Sequence, residues 1–166
     1  MMQNTCAYLA IGSNLDPLRN IRRCLDLLRT IPDSRMVAES SWYLTRPWGI
    51  VSQPDFVNLA VALETRLSPR QLLAETQAIE TRLERLRDLK NGPRTIDLDL
   101  LFCGDAILDD RDLKIPHPGL LLRDFMLVPM IEIAPETIHP EFGLPIGELT
   151  QKIQYHQIIS RLPHAQ

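Results

Sequence analysis

The chain has 166 residues, of which 45% are hydrophobic and 23% are charged, and its formal net charge is −3. These values are typical of one globular domain with its own core, so we predict a single domain over residues 1–166. The small negative charge excludes a strongly basic domain that coats nucleic acid.

The cysteines and the N-terminal residues indicate a cytoplasmic protein. Cys6, Cys24 and Cys103 lie far apart in apolar stretches, which favours buried free thiols over disulfides or a metal site. The first residues show no basic region followed by an apolar run, so no signal peptide is expected. No apolar stretch is long enough to cross a membrane, so no membrane partner is expected.

The first part of the chain predicts a strand, a helix and two further strands. Residues 5–11 form an apolar run that indicates a buried strand. A helix begins at Pro17, because apolar residues then recur at helical spacing. Strands are predicted over 36–45 and 56–64. The loop between them, 46–55, is long enough to indicate a function.

A second helix and a further strand follow. Ser68 is a good N-cap, since proline comes next and glutamine stands three residues after the cap. This helix is predicted to run to about residue 87. Residues 95–102 alternate between polar and apolar at their start, which predicts a strand.

The last part of the chain has weaker patterns. A short extra strand is predicted at 107–108. A helix is predicted to begin at or just before Pro129. A short helix near 146–152 and an edge strand near 157–161 complete the chain. The overall order is β-α-β-β-α-β with additions. It predicts an α+β ferredoxin-like sandwich, in which helices pack on an antiparallel sheet.

Two aspartates on one predicted strand are the first candidate site. Asp97 and Asp99 are two residues apart, so they point to the same face, while Leu98 points to the core. Adjacent carboxylates repel each other, and a divalent cation removes the repulsion. Mg²⁺ uses one or two carboxylates and completes its shell with water and phosphate oxygens. The alternative is an exposed strand face that carries two aspartates, although aspartate is disfavoured in strands.

Basic residues lie immediately before this pair. Arg85, Arg87, Lys90 and Arg94 would neutralise a polyphosphate whose oxygens a metal bridges. For Arg85 and Arg87 we favour the alternative, a solvated helix end in which they pair with interleaved acidic residues.

A histidine between two prolines is the second candidate site. Pro116 and Pro118 fix the backbone around His117, which suits a preorganised contact with a phosphate or a base. Arg123 and Phe125 follow closely. The alternative is a structural histidine, which is the commoner role of a single histidine.

Six short motifs are spread along nearly the whole chain: GSNL at 12–15, QPDFVN at 53–58, QxIE at 77–80, GPRxxDLD at 92–99, PHP at 116–118 and RxF at 123–125. In sequence and in order they resemble the motifs of the 6-hydroxymethyl-7,8-dihydropterin pyrophosphokinase family of the folate pathway. The family has a ferredoxin-like fold, which agrees with the predicted order of elements.

The resemblance implies transfer of the terminal diphosphate of ATP, the co-substrate, to the pterin hydroxymethyl group, with release of AMP. It implies two Mg²⁺ ions, both ligated by Asp97 and Asp99, with Arg85 and Arg94 as further catalytic residues. The implied ATP site comprises Gln77, Glu80, Arg85, Arg87, Lys90, Arg94, Leu100, Lys114, His117 and Arg123. The implied pterin pocket comprises Thr45, Arg46, Trp48, Phe56, Asn58 and Phe125, in which Phe56 and Phe125 would stack on the ring.

The chain departs from the family pattern at several positions. Lys90-Asn91 stands where many members carry Arg and Trp, so a guanidinium fork and a stacking ring are absent. Arg46 stands where proline is common. Asp112 and Lys114 replace Arg and Thr near the phosphates, which leaves open whether Arg111 or Lys114 contacts phosphate.

Two other functions compete with this interpretation. An RNA-binding ferredoxin-like module needs exposed aromatic residues and a basic face, which this composition disfavours. A nucleotidyltransferase also uses paired strand carboxylates, but its Gly-Ser turn is usually close to them, whereas Ser13 is far from Asp97 along the chain. We therefore expect a monomeric enzyme with small-molecule substrates, no nucleic-acid partner, and lids formed by 46–55 and 85–92.

Overall fold

The computed structural model describes residues 4–49, 52–83 and 94–163. The strands are β1 (Thr5–Ser13), β2 (Ser34–Glu39), β3 (Tyr43–Thr45), β4 (Phe56–Thr65), β5 (Asp97–Cys103), β6 (Leu108–Asp109), β7 (Lys114–Ile115), β8 (Ile138–His139), β9 (Leu144–Pro145) and β10 (Ile158–Arg161). The helices are α1 (Pro17–Leu28), α2 (Pro69–Arg82) and α3 (Asp124–Ile133), with 3₁₀ turns at Ile146–Glu148 and Thr150–Lys152.

One antiparallel sheet organises the molecule. Its order is β10-β3-β4-β1-β5, and β2 pairs with the far end of β4. Two short hairpins, β6-β7 and β8-β9, lie outside it. The predicted β-α-β-β-α-β order and the antiparallel sheet with packed helices are confirmed.

Alternation along the central strands separates two cores. In β1, Leu9 and Ile11 belong to the core that α1 and α2 cover, whereas Ala10 belongs to the core beside α3. In β5, Leu98 joins the first core. Asp97 and Asp99 therefore share the face that α3 partly covers, as predicted for residues two apart.

The predicted strand 36–45 is wrong as one strand, because two serines interrupt it. The hydroxyl of Ser40 accepts a hydrogen bond from the N–H of Ala60 at 2.8 Å. The N–H and hydroxyl of Ser41 both donate to the carboxylate of Glu132 on α3, at 2.7 and 2.9 Å. Ser40 keeps one backbone bond to the carbonyl of Ala60 at 2.8 Å, but the side-chain bonds of the two serines interrupt the regular strand between β2 and β3.

The predicted start of the third helix is also wrong, since α3 begins at Asp124 and contains Pro129. The ring of Pro129 removes one intrahelical hydrogen bond, which usually ends a helix. Here Met126, Leu127 and Met130 are at most 3% exposed, and their burial against the sheet offsets that loss.

The remaining elements agree with prediction where the structure describes them. Ser68 forms a capping box with Gln71 at the start of α2. The predicted helix end near 87 lies outside the described residues. The short helix near 146–152 is a pair of 3₁₀ turns, and the edge strand is β10. All three cysteines are free.

Within the described part of the chain, none of the helices has the length and apolar character needed to span a membrane.

Candidate active site between two clefts

A row of three residues crosses the sheet where the site lies. Gly12 in β1 is opposite Asn58 in β4 on one side and opposite Asp97 in β5 on the other. Directly opposed residues point to the same face. A β-carbon added to Gly12 would lie 2.4 Å from the side-chain oxygen of Asn58. Because Gly12 has no side chain, the surface of the sheet stays open between the amide of Asn58 and the carboxylate of Asp97.

The first cleft lies above this row. All six residues of the implied pterin pocket line it, and so do four others: Arg94, Asp97, Arg123 and Gln157. We call this the aromatic cleft. Strands β3, β4 and β5 and the start of α3 supply most of its walls, so the sheet brings together residues that lie far apart along the chain.

Aromatic rings and one guanidinium form the wall of the aromatic cleft. The Cζ atom of Arg123 lies 4.7 Å from the ring centre of Trp48 and 5.8 Å from that of Phe125. Trp48 also makes an edge contact with Tyr155, with ring centres 4.6 Å apart. A cation over an aromatic face is attracted to it, so these contacts order Arg123 beside the cleft.

The polar side of the aromatic cleft is fixed by a short bond. The side-chain nitrogen of Asn58 donates to the hydroxyl of Thr45 at 2.7 Å, and both residues are buried. This bond sets the orientation of the amide, so its oxygen remains as a hydrogen-bond acceptor.

The two aspartates are accessible and have basic neighbours. The side chains of Asp97 and Asp99 are 31% and 43% exposed. The nearest oxygen of Asp97 is 3.6 Å from the Arg94 guanidinium, and that of Asp99 is 3.8 Å from Nε2 of His117. Among the described residues, no group of three or more His, Cys, Asp or Glu side chains is arranged to hold a metal.

The environment of His117 keeps its ring neutral. Burial, together with the nearby charge of Arg123, lowers the pKa of His117 to about 4. Its Nδ1 accepts a hydrogen bond from the N–H of Gly119 at 2.9 Å. The proton of the neutral ring is therefore on Nε2, which faces Asp99 and can donate to an acceptor such as a phosphate oxygen.

A second cleft opens along the other edge of β5. Three residues of the implied ATP site line it: Leu100, Lys114 and His117. The remaining lining residues are Leu73, Leu98, Asp99, Arg111, Asp112, Leu113 and Pro118. We call this the leucine cleft. Its apolar walls and basic rim suit a flat base with a charged tail, and both Arg111 and Lys114 are on its lining.

One arginine holds the loop that borders the leucine cleft. Arg70, near the start of α2, donates to both oxygens of Asp112 at 2.8 and 2.7 Å and to Asp110 at 2.6 Å. Asp112 is thus engaged with Arg70. The hydrogen bonds from Arg70 hold the pKa of Asp112 below its usual value.

Two implied ATP residues lie on α2 away from the cleft linings. Glu80 is 4% exposed, and its carboxylate accepts the N–H of Leu98 at 3.0 Å, between the two aspartates. Gln77 is exposed and lines neither cleft. In this structure Glu80 supports the backbone of β5.

The Gly-Ser-Asn-Leu turn supports the site from below. The backbone N–H groups of Asn14 and Leu15 donate to the carbonyl of Arg94 at 3.1 and 3.2 Å. The Asn14 side chain donates to Gln53 and to the carbonyl of Pro54, each at 2.9 Å. The turn therefore joins the segment before β5 to the loop before β4.

Three implied basic residues, Arg85, Arg87 and Lys90, lie outside the described residues, as does the whole of the predicted lid 85–92. The predicted lid 46–55 is described except for residues 50 and 51.

Sequence reasoning missed Gln157 and Tyr155, which contact the aromatic cleft from the C-terminal segment. Gln157 is 7% exposed and lines the cleft. Neither residue belongs to a motif with a recognisable spacing. The sequence offers one indication, which is the position of Gln157 next to an edge strand. A polar residue there has unpaired backbone groups that can bond to a neighbouring loop.

Comparisons with known proteins show which family and which fold the chain matches. Residues 8–135 match the profile of the family described as 7,8-dihydro-6-hydroxymethylpterin-pyrophosphokinase (HPPK). The chain is 43% identical over 159 residues to the 2-amino-4-hydroxy-6-hydroxymethyldihydropteridine pyrophosphokinase of Pseudomonas aeruginosa, covering 95% of this chain and 97% of the relative. It is 38% identical over 158 residues to the protein of that name from Haemophilus influenzae, covering 95% and 98%.

A solved structure shows the same fold. The crystal structure of wild-type Plasmodium falciparum HPPK-DHPS superposes with a TM-score of 0.69 at 16% identity. The match covers 90% of this chain and 45% of that longer chain. The profile match and the two bacterial relatives show that this chain belongs to the 7,8-dihydro-6-hydroxymethylpterin-pyrophosphokinase family.

Proposed function

We propose that the aromatic cleft binds the pterin, that the leucine cleft binds ATP, and that diphosphate passes between them at Asp97 and Asp99. The reaction is the one for which the family is named: ATP donates diphosphate to 6-hydroxymethyl-7,8-dihydropterin in folate biosynthesis, which gives the pterin diphosphate and AMP.

The observation that carries the proposal is the position of the two carboxylates. Asp97 lines the aromatic cleft, and Asp99 lines the leucine cleft. They are two residues apart on one strand face. A group transferred between ligands in the two clefts would pass these side chains.

The aspartates fit Mg²⁺. They offer only oxygen ligands, they are partly exposed, and a magnesium ion needs one or two carboxylates when substrate phosphates and water fill its other positions. We propose that Asp97 and Asp99 hold two such ions. When bound, Mg²⁺ neutralises phosphate charge and polarises the attacking hydroxyl.

Three side chains of the protein would act on the phosphates. Arg94 and Arg123 line the aromatic cleft and are permanently charged, so they neutralise phosphate oxygens in the ground state and during transfer. His117 is neutral and donates from Nε2 without adding charge. Phosphoryl-type transfer depends mainly on such positioning and charge neutralisation.

The pterin would be held by stacking and by amide pairing. Phe56 and Phe125 both line the aromatic cleft and offer flat faces to the ring. The oxygen of Asn58, fixed by the bond to Thr45, accepts a hydrogen bond from the ring. Placing both substrates before reaction accounts for much of the expected acceleration.

We also propose that the enzyme is a monomer in the cytoplasm without a nucleic-acid partner. The two clefts are formed within one chain, and the net charge of −3 disfavours a polyanionic partner.

Product identification tests the function directly. The purified protein is incubated with ATP, Mg²⁺ and 6-hydroxymethyl-7,8-dihydropterin, and the products are separated by chromatography. AMP and the pterin diphosphate are expected. ADP would indicate an ordinary kinase, free diphosphate would indicate nucleotidyl transfer, and no turnover would indicate a binding protein.

Single substitutions test the carboxylates. Asp97→Ala and Asp99→Ala should each lower turnover by at least about 100-fold while the fold survives, because each removes a charge that the metal needs. Asp105→Ala is the matched control, since Asp105 is exposed in the turn after β5. Near-normal turnover of either variant would rule out the metal assignment.

A further inference from the structure

Gln157 has a buried oxygen without a hydrogen-bond partner. Its side-chain Oε1 is inaccessible to solvent and accepts no hydrogen bond from any described residue. Gln157 as a whole is 7% exposed and lines the aromatic cleft. Leaving a buried acceptor unpaired is costly, and such groups often mark a site that a ligand completes.

The orientation of this amide is determined by its other bonds. Nε2 of Gln157 donates to the carbonyl oxygen of Arg46 at 3.1 Å. A carbonyl can only accept, so the nitrogen must be the atom that faces Arg46, and the oxygen is the free atom.

The backbone around Gln157 is held on both sides. Its N–H donates to both carboxylate oxygens of Asp124, at 2.9 and 3.0 Å, and its carbonyl accepts the N–H of Arg46 at 2.8 Å. Asp124 is itself buried, between Arg123 and Phe125 of the same cleft. The free oxygen is therefore preorganised and not on a mobile side chain.

We propose that Oε1 of Gln157 accepts a hydrogen bond from the 2-amino–N3 edge of the pterin, which makes Gln157 a specificity-determining residue. This inference rests on the proposed pterin site. Gln157 and Asn58 line one cleft, and in each the amide nitrogen is used as a donor elsewhere, which leaves the side-chain oxygen as the acceptor. The 2-amino and N3–H groups are adjacent donors on one edge of the pterin, so two acceptors match that edge.

The first test is pterin affinity. Binding of 6-hydroxymethylpterin is measured by calorimetry with Mg²⁺ and a non-hydrolysable ATP analogue for the wild type and for Gln157→Met, which keeps the side-chain length. We expect about 10-fold weaker pterin binding and unchanged affinity for the nucleotide analogue. Gln154→Met is the matched control, because Gln154 is an exposed glutamine of the same segment. Unchanged pterin affinity in Gln157→Met would overturn the proposal.

A second ligand separates recognition from a structural role. 6-Hydroxymethyllumazine carries oxygen in place of the 2-amino group, so it presents an acceptor to Gln157. The wild type should bind the pterin about 10-fold or more tightly than the lumazine. In Gln157→Met this ratio of affinities should fall by at least about threefold. An equal loss of affinity for both ligands would show that Gln157 only supports Arg46, and it would refute the proposal.

A structure of the wild-type complex decides the case if Gln157→Met does not fold. Oε1 within hydrogen-bond distance of a pterin nitrogen supports the proposal, and a separation beyond about 4 Å refutes it. The product assay keeps the two proposals apart. A wild type that forms no AMP refutes the proposed function, whereas full turnover with no effect at Gln157 refutes only this inference.

Discussion

The side-chain oxygen of Asn14 accepts a hydrogen bond from the backbone N–H of Arg94 at 2.7 Å. The nitrogen of the same amide donates to Gln53 and to the carbonyl of Pro54. Asn14 is 3% exposed. One buried amide thus fixes Arg94, which lies beside Asp97, and the loop that leads into Phe56.

Asn14→Asp keeps the acceptor for Arg94 but removes both donated bonds. We expect a loss of about 2 kcal/mol in the free energy of unfolding and a higher KM for the pterin, because the loop before β4 loses its anchor. Urea unfolding and steady-state kinetics measure the two effects. Asn4→Asp is the control, since Asn4 is exposed. Equal stability of the two variants would contradict the role of Asn14.

Gly12→Ala should weaken pterin binding. The added methyl carbon would lie 2.4 Å from the Asn58 oxygen, so the amide must shift from its bond with Thr45. We expect the KM for the pterin to rise at least about 10-fold and the stability to fall by about 1–3 kcal/mol.

A double variant checks the cause of that effect. Gly12→Ala with Asn58→Ala removes the oxygen that the methyl meets, so the stability should largely return while the pterin affinity stays low. A double variant as unstable as the sum of the two single variants would show that the strain lies elsewhere.

Arg70→Ala should affect ATP and not the pterin. Arg70 holds Asp110 and Asp112 in the loop that borders the leucine cleft. We expect the KM for ATP to rise about threefold to 10-fold, with little change in stability because the ion pairs are exposed. Arg35→Ala removes an exposed ion pair with Glu64, far from both cleft linings, and is the control. A rise in the KM for the pterin alone would contradict the prediction.

His139 should make stability depend on pH. Burial among aromatic rings lowers the pKa of His139 below the ordinary value of 6.5, with Glu141 acting weakly in the opposite direction. Below pH 6.5 His139 binds a proton in the unfolded chain but stays neutral in the folded chain. The contribution of His139 to the free energy of unfolding is therefore fully present above pH 6.5 and is lost as the pH decreases.

His139→Asn, which keeps an acceptor for the N–H of Glu141, should reduce this loss between about pH 7 and about pH 5.5. Part of the decrease in the free energy of unfolding with falling pH should remain, since the lowered pKa of His117 acts in the same direction. Denaturant unfolding at both pH values measures the slope. Identical slopes in the wild type and the variant would be inconsistent with this account.

Local sequence patterns predicted the main strands and helices, because alternation and helix capping depend on residues only a few positions apart. The alternation around Leu98 placed both aspartates on one face, and the capping box at Ser68 marked the start of α2. The six residues of the implied pterin pocket came from the family resemblance, since no spacing along the chain brings Thr45 near Phe125.

The errors arose where tertiary contacts override local preference. The break between β2 and β3 depends on Glu132, a residue far along the chain that bonds Ser41. The helix through Pro129 depends on burial against the sheet. Gln157 reaches the cleft because Asp124 binds its backbone. No window of neighbouring residues contains these contacts.

The stacked position of Trp48 has a practical consequence for optical measurements. The chain has two tryptophans. Trp42 bonds Glu39 and lies outside the aromatic cleft lining, whereas Trp48 lies in that lining under the Arg123 guanidinium. In Trp42→Phe, the intrinsic indole fluorescence would come from Trp48 alone, in the lining of the proposed pterin site. Ligand entry could then be followed in real time without any attached dye.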